Sequence, residues 1–238
     1  MKLSICLLAF NERVSLEKLI PEMIHEGESL FGGDFEVLVI DDASTDDSIE
    51  LLTKIGRTES RVTVVSHSTN QGYAGATLTA LKKSRGDLIV IIDGDGQHPA
   101  DQVSKIIAKI ENGNAVVFPI RKRRAEPLNR KLASKVLTFQ CWIYLGYRQR
   151  DINGGIKGFS RTAADRIEIR HFVNLVNPEI WIRCRQQNLK IGYVAVDQIA
   201  RFDGTKSRVI SRPGPLFLSV NRYLRSLRRE LQAQESAK

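Results

Sequence analysis

Asp93 and Asp95 stand two residues apart directly after the apolar run Leu88-Ile89-Val90-Ile91-Ile92. Successive strand side chains alternate faces, so carboxylates at i and i+2 project the same way. At a strand's carboxyl end such a pair forms a hard-oxygen site for a divalent cation, with positions left open for phosphate oxygens. Gln97 adds a neutral oxygen, and Gly94 and Gly96 allow a tight turn and close approach of a ligand. A lone D-x-D occurs in many surface turns; the preceding apolar run singles this one out. Gly96 to Pro99 also reads as the turn that starts the next helix.

Other candidate groups end other apolar runs. Asp41 and Asp42 follow Val37-Leu38-Val39-Ile40, where acids suit the hydroxyls and ring N–H groups of a nucleoside. Ser44 to Asp47 read instead as a helix start. Asn11 and Glu12 would border the same crevice. Asn70-Gln71-Gly72-Tyr73-Ala74-Gly75-Ala76 supplies small residues, Gly72 among them, where backbone and ligand meet closely. It matches neither a Walker P-loop nor G-x-G-x-x-G, which argues against a kinase or dehydrogenase.

The elements that must position these groups alternate. Ser4–Phe10, Phe35–Ile40, Val62–His67, Leu88–Ile92 and Ala115–Ile120 read as buried strands. Amphipathic helices are expected over about 14–25, 45–55, 74–84 and 99–110, with Pro99 in a first turn. This order predicts an α/β domain with a mostly parallel sheet flanked by helices, its ligand at the carboxyl ends of the strands. Beyond it come a basic loop at 121–127, a helix over 128–145, a turn-rich segment at 151–157, a helix near 177–187, a strand at 191–196 and a closing helix after Pro215. No repeat or low-complexity linker interrupts the chain.

Composition agrees with a folded domain. The 238 residues are 42% hydrophobic and 26% charged, values of globular proteins rather than disordered ones. The first ten residues imitate a signal peptide faintly, but Asn11-Glu12-Arg13 cuts the apolar stretch short, so a buried strand is expected. No apolar run approaches a membrane span. Cys6, Cys141 and Cys184 are scattered, as in cytosolic proteins that use cysteine as a small hydrophobe.

Charge is unevenly spread. Residues 1–118 hold 11 Lys and Arg against 18 Asp and Glu; residues 119–238 hold 25 against 9. The split implies one half with purposeful acids and one half facing an anion.

The order of motifs resembles the family-2 glycosyltransferases, with their Rossmann-like GT-A fold. Ser4–Glu12, Glu36–Thr45, Asn70–Ala76 and Gly86–Pro99 carry that resemblance. Asp93–Pro99, Asp151–Lys157 and Arg201–Lys206 look specifically like the dolichol-phosphate mannose synthases and related polyprenyl-phosphate enzymes. The resemblance implies a GT-A domain over residues 1–212, with a nucleotide-sugar half (1–118) and an acceptor half (119–212), then a basic helix and tail (213–238). It implies that Asp93, Asp95 and Gln97 hold Mg²⁺ or Mn²⁺ on a GDP- or UDP-hexose, with Asp93 also at the donor. It implies that Asp41 reads the nucleoside, and that Arg121, Arg130, Lys157, Arg201 and Lys206 meet phosphate groups. The departing diphosphate of an inverting transfer gathers negative charge, which a cation and guanidinium forks would stabilise. Leu8, Phe10, Ala200 and Thr205 depart from the family's usual residues, and none is a proposed metal ligand.

An acceptor hydroxyl needs a positioned base. Relatives with such acceptors show paired acids where Pro178-Glu179-Ile180-Trp181 offers one, and no Q-x-x-R-W is present. A polyprenyl phosphate, already anionic, is therefore the expected acceptor. Asp151 stands as a candidate base or a turn former before Asn153-Gly154, and Asp151 or Glu179 would serve a sugar or lipid hydroxyl in the alternative reading.

In the closing helix Leu216, Val220, Tyr223 or Leu224, Leu227 and Leu231 recur at helical spacing among Arg222, Arg225, Arg228 and Arg229. Such a helix either lies in an anionic bilayer surface or packs its leucines on the domain. A peripheral place at the cytoplasmic face of a membrane is expected. A nucleic-acid module is the reading of another class; aromatics in the basic half (Trp142, Tyr144, Tyr147) are too sparse for a stacking platform, and no nucleic acid is expected.

Overall fold

Each apolar run of the first half forms a strand and each amphipathic stretch a helix: β1 (Leu3–Ala9), α1 (Arg13–Phe31), β2 (Phe35–Asp41), α2 (Ser48–Thr58), β3 (Val62–Ser66), α3 (Gly72–Lys83), β4 (Leu88–Asp93), α4 (Gln102–Glu111) and β5 (Val116–Arg121). The second half adds α5 (Leu128–Leu145), β6 (Ile156–Ser160), α6 (Arg161–Arg166), α7 (Val176–Gln186), β7 (Ile191–Val196) and α8 (Pro213–Ser236). The computed structural model describes residues 1–122, 128–146, 151, 154–170, 176–202 and 213–236.

The strands form one seven-stranded sheet in the order β3-β2-β1-β4-β6-β5-β7. All neighbours are parallel except β6, which runs antiparallel to both β4 and β5. This is the mostly parallel α/β architecture expected. The turn-rich reading of 151–157 missed β6, because Gly154-Gly155 and Gly158 mask a short strand. β6 supplies the wall beside β4: Ile92 lies opposite Ile156, and Asp93 N donates to Gly155 O at 2.8 Å.

Alternation along the strands splits the core in two. Leu3, Ile5, Leu7 and Ala9 of β1 face α1, α2 and α4, whereas Cys6 and Leu8 face α3, α6 and α7. Burying each leucine or isoleucine contributes about 1.5–3 kcal/mol, so the sheet positions are fixed from both faces. α1 runs past Pro21, six residues beyond the expected end at His25. Pro21 lacks one backbone donor, but Leu16, Leu19, Ile20 and Met23 bury a continuous stripe that carries the helix through.

A third cluster joins α5 and α8. Leu137 and Cys141 pack against Val220, Tyr223, Leu224, Leu227 and Leu231. The apolar stripe of the closing helix therefore lies on the domain and not on a bilayer, while Arg222, Arg225, Arg228 and Arg229 are exposed. No helix among the described residues is long and apolar enough to cross a membrane.

Candidate functional site

Three neighbouring strands deliver acids to one edge of the sheet. Ala9 pairs with Asp41 across β1 and β2, and Leu8 pairs with Asp93 across β1 and β4. Asp41 and Asp93 thus end their strands one residue out of step on the carboxyl edge, flanking β1. Adjacent strands are about 4.8 Å apart, so the two backbones are separated by about 10 Å. Asn11 and Glu12 follow β1 between them.

Two carboxylate oxygens there are buried without a hydrogen-bond partner, Asp41 Oδ2 and Asp93 Oδ1. Among the described residues Asp41 Oδ1 accepts the Ser44 N–H, at 3.3 Å. Ala43 bends the chain away with φ 61°, which turns the backbone off the end of β2. Asp93 is half-buried, and desolvation first, then repulsion from Asp95, pushes its carboxyl above the usual range. Lys157 opposes that rise. It is fully buried and donates to Tyr73 Oη at 2.8 Å and Asn177 Oδ1 at 2.7 Å; burial holds its ammonium below the ordinary value.

Asp95 takes the Gln97 N–H on Oδ1 at 3.0 Å, and its Oδ2 lies 3.4 Å from Arg201 Nη1. Arg201 also pairs with Glu12. One guanidinium thus bridges the ends of β1 and β4 from a segment that follows β7. Gly96 turns the D-G-D-G stretch with φ 72°, and a side chain there would collide with Phe202. Gln97 donates its amide N–H to Ile199 O at 3.3 Å.

The oxygens of Asp93, Asp95 and Gln97 suit a hard divalent ion, since one is buried and without a donor. No three His, Cys, Asp or Glu side chains cluster as a complete cage among the described residues. An ion held there would complete its shell with oxygens from elsewhere, as a bound diphosphate provides.

Several sequence candidates have their polar groups already engaged. Asp42 accepts the Gln71 and Gly72 N–H groups, both at 2.8 Å, and meets His67 Nδ1 at 2.7 Å. Asn11 binds the loop after β2 through Thr45 N at 2.7 Å and Ser44 Oγ at 2.9 Å. Asp42, Gly72 and Asn11 therefore shape the crevice wall. Asp151 is gripped by Arg121, with Nε at 2.7 Å and Nη2 at 2.8 Å. Glu179, fully buried, accepts the Arg170 N–H at 2.9 Å and faces Arg183 at 3.2 Å. Both candidate bases are thus held by arginines. Lys206 and the Arg130 side chain lie outside the described residues.

Sequence reasoning missed Tyr73, His98 and Asn177. His98 is 2% exposed, and burial, then the Arg121 charge, pushes it down to about 4. An added Cβ on Gly155 would stand 2.1 Å from Asp93 Oδ2 and 2.9 Å from His98 Nε2. The Gly154-Gly155 pair was the available signal for this close approach; nothing in the sequence marks Asn177.

The sequence profile of Glycosyl transferase family 2 matches residues 4–168. Undecaprenyl-phosphate 4-deoxy-4-formamido-L-arabinose transferases from Salmonella paratyphi B and Salmonella newport are 32% identical over 165 residues, 69% of this chain and 50% of theirs. The chain thus spans about half the length of the curated relatives it matches. Among solved structures, glucosyl-3-phosphoglycerate synthase from Mycobacterium tuberculosis in complex with UDP superposes with a TM-score of 0.67 at 21% identity, covering 95% of this chain and 80% of that one. The same enzyme with Mn²⁺ and UDP-glucose gives 0.64 at 20% identity, covering 93% and 75%. These likenesses carry the fold, and the fold is the GT-A arrangement expected from the motifs. With the profile covering more than half of its residues, the chain belongs to glycosyl transferase family 2.

Proposed function

We propose that the crevice binds a nucleotide-diphosphate hexose, GDP- or UDP-linked, with Mg²⁺ or Mn²⁺, and passes the sugar to a polyprenyl phosphate with inversion. The observation that carries this reading is the pair of partnerless buried oxygens, Asp41 Oδ2 and Asp93 Oδ1, at the ends of the two strands that flank β1. Leaving a buried charged oxygen unmatched costs several kcal/mol, so the arrangement favours a ligand that brings N–H or O–H groups to one and a cation to the other.

In this reading Asp41 receives the nucleoside. Asp93, Asp95 and Gln97 hold the divalent ion, which when bound neutralises charge on the diphosphate. Tyr73 and Lys157 fix Asp93 from behind, and Lys157 keeps positive charge beneath it. Arg201, held on Asp95 and Glu12, brings its positive charge to the side of the leaving phosphate. Asp151 serves by holding Arg121 rather than as a base. With Asp151 and Glu179 both engaged by arginines, an acceptor that is already anionic is favoured over a hydroxyl. The Salmonella relatives are named for undecaprenyl phosphate, which supports a lipid phosphate here too. Such an acceptor places the reaction at a membrane surface, on the cytoplasmic side where nucleotide sugars would be met.

The test is calorimetric titration with UDP- and GDP-hexoses, with and without Mn²⁺, followed by transfer of labelled sugar to undecaprenyl phosphate in detergent. Manganese-dependent donor binding and a labelled lipid product are expected. Donor binding without any lipid product would remove the acceptor assignment, and no donor binding at all would remove the whole reading.

A further inference from the structure

Helix α5 turns an apolar face outward. Val136, Phe139, Trp142 and Ile143 are 37%, 56%, 42% and 51% exposed, and their spacing gathers them on one side of the helix. The Phe139 and Trp142 rings lie with centroids 5.8 Å apart. Exposed apolar residues on soluble surfaces are usually scattered singly; a contiguous strip with two touching aromatics marks a contact surface.

α8 supplies a basic rim beside that strip. Gln140 donates to Asn221 Oδ1 at 3.0 Å, and Arg225 Nε reaches Tyr144 Oη at 3.3 Å. These ties seat the row Leu218, Arg222, Arg225 and Arg229, which lines one groove, next to α5. Arg222 and Arg229 are exposed and make no ion pair within the described residues. The nearby acid Glu230 is turned instead to Arg170 and Arg183. Among the described residues no acid offsets the charge of Arg222 and Arg229.

We infer that the α5 strip and the α8 arginine row form one docking surface for an anionic lipid bilayer. Aromatic rings favour the boundary between headgroups and acyl chains, and arginines bury their stems while pairing with lipid phosphates. A second copy fits less well, because a two-fold contact presses the same patch, unpaired arginines included, against itself. The inference deepens the lipid-acceptor reading and rests on that reading only for its purpose: the carboxyl-edge crevice would meet its acceptor where this surface holds the domain.

Vesicle binding tests it without donor or acceptor. Trp142 and Trp181 are the protein's two tryptophans, so a Trp181→Phe form reports from Trp142 alone. With phosphatidylcholine vesicles containing phosphatidylglycerol, Trp142 emission should shift to the blue and be quenched by brominated acyl chains; pure phosphatidylcholine should bind at least about tenfold more weakly. Phe139→Ser with Ile143→Ser should abolish the shift, and Arg222→Glu with Arg229→Glu should lower partitioning at least about tenfold. All four positions are exposed, and circular dichroism checks that the fold is kept. Absence of binding to anionic vesicles, binding that survives the serine pair, or a concentration-dependent dimer abolished by that same pair would each overturn the inference. Calorimetric donor binding, measured separately, would stand or fall independently.

Discussion

Arg121 and Asp151 hold each other in a buried fork at the end of β5. Arg121 Nε and Nη2 reach the two carboxylate oxygens of Asp151 at 2.7 and 2.8 Å, and the Arg121 backbone N–H adds a third bond at 3.1 Å. The two side chains are 5% and 1% exposed. The pair joins β5 to the segment that enters β6. It is therefore an anchor for the wall beside Asp93.

Breaking that fork from one side leaves a buried charge. Asp151→Asn is expected to destabilise the fold by about 3–5 kcal/mol, seen as a lowered denaturation midpoint in urea. The double variant Asp151→Asn with Arg121→Gln should recover part of that loss, because neither ion is left alone. A catalytic base would behave otherwise: turnover would fall by about 10²–10⁴ with the midpoint unchanged.

Gly155 leaves the space that Asp93 fills. An alanine Cβ would lie 2.1 Å from Asp93 Oδ2 and 2.6 Å from its Cγ, well inside contact distance. Gly155→Ala should displace the carboxylate and cost about 1–3 kcal/mol through overpacking. Its sharper signature is on ligand binding: manganese-dependent donor affinity should fall more than affinity for the free nucleoside, which Asp41 would still receive. Equal loss for both would show that the substitution acts through general unfolding.

The elements that alternate regularly were legible in the sequence, because strand and helix periods differ and β1, β2 and β4 are buried on both faces; β3, read as a buried strand, is instead half exposed at the sheet edge. Asp41, Asp93 and Asp95 were legible for a related reason: acids that end apolar runs have one place to go. The roles of Asn11, Asp42 and Asp151 were not, since their partners Thr45, His67 and Arg121 lie 25 to 34 residues away or on another strand. No local pattern tells a carboxylate that binds ligand from one that binds backbone. β6 was hidden by its glycines, which are needed because Gly155 and Gly158 pack against Asp93 and Ile106. The closing helix showed its stripe of leucines, but only the position of α5 decides what that stripe covers.

The three cysteines should behave as inert packing residues. Cys6, Cys141 and Cys184 are all fully buried, and burial pushes Cys141 and Cys184 up to about 12 from 9.0, with Cys6 also raised. Each thiol stays protonated in the fold after its unfolded counterpart has ionised. Stability tied to these groups is thus complete below pH 9 and is lost as pH rises toward 12, by about 1 kcal/mol per thiol between pH 9 and 10. Urea midpoints across that window should fall less steeply in Cys141→Ala with Cys184→Ala than in the parent protein. Thiol reagents should label the native protein slowly and the denatured protein at all three positions.

Asp95 separates chemistry from folding better than its neighbour. It is partly exposed at the edge, its Oδ2 meets Arg201 Nη1 only at 3.4 Å, and Gln97 N is its nearer partner. Asp95→Asn keeps the shape and the bond to Gln97 N while removing the charge. Thermal unfolding without donor should therefore change little, whereas turnover with Mn²⁺ should fall by about 10²–10³ through lost charge stabilisation at the departing diphosphate. Donor affinity should also lose most of its response to manganese, which a change in Arg201 alone would not produce. Near-parental turnover together with normal manganese dependence would place the cation away from the end of β4.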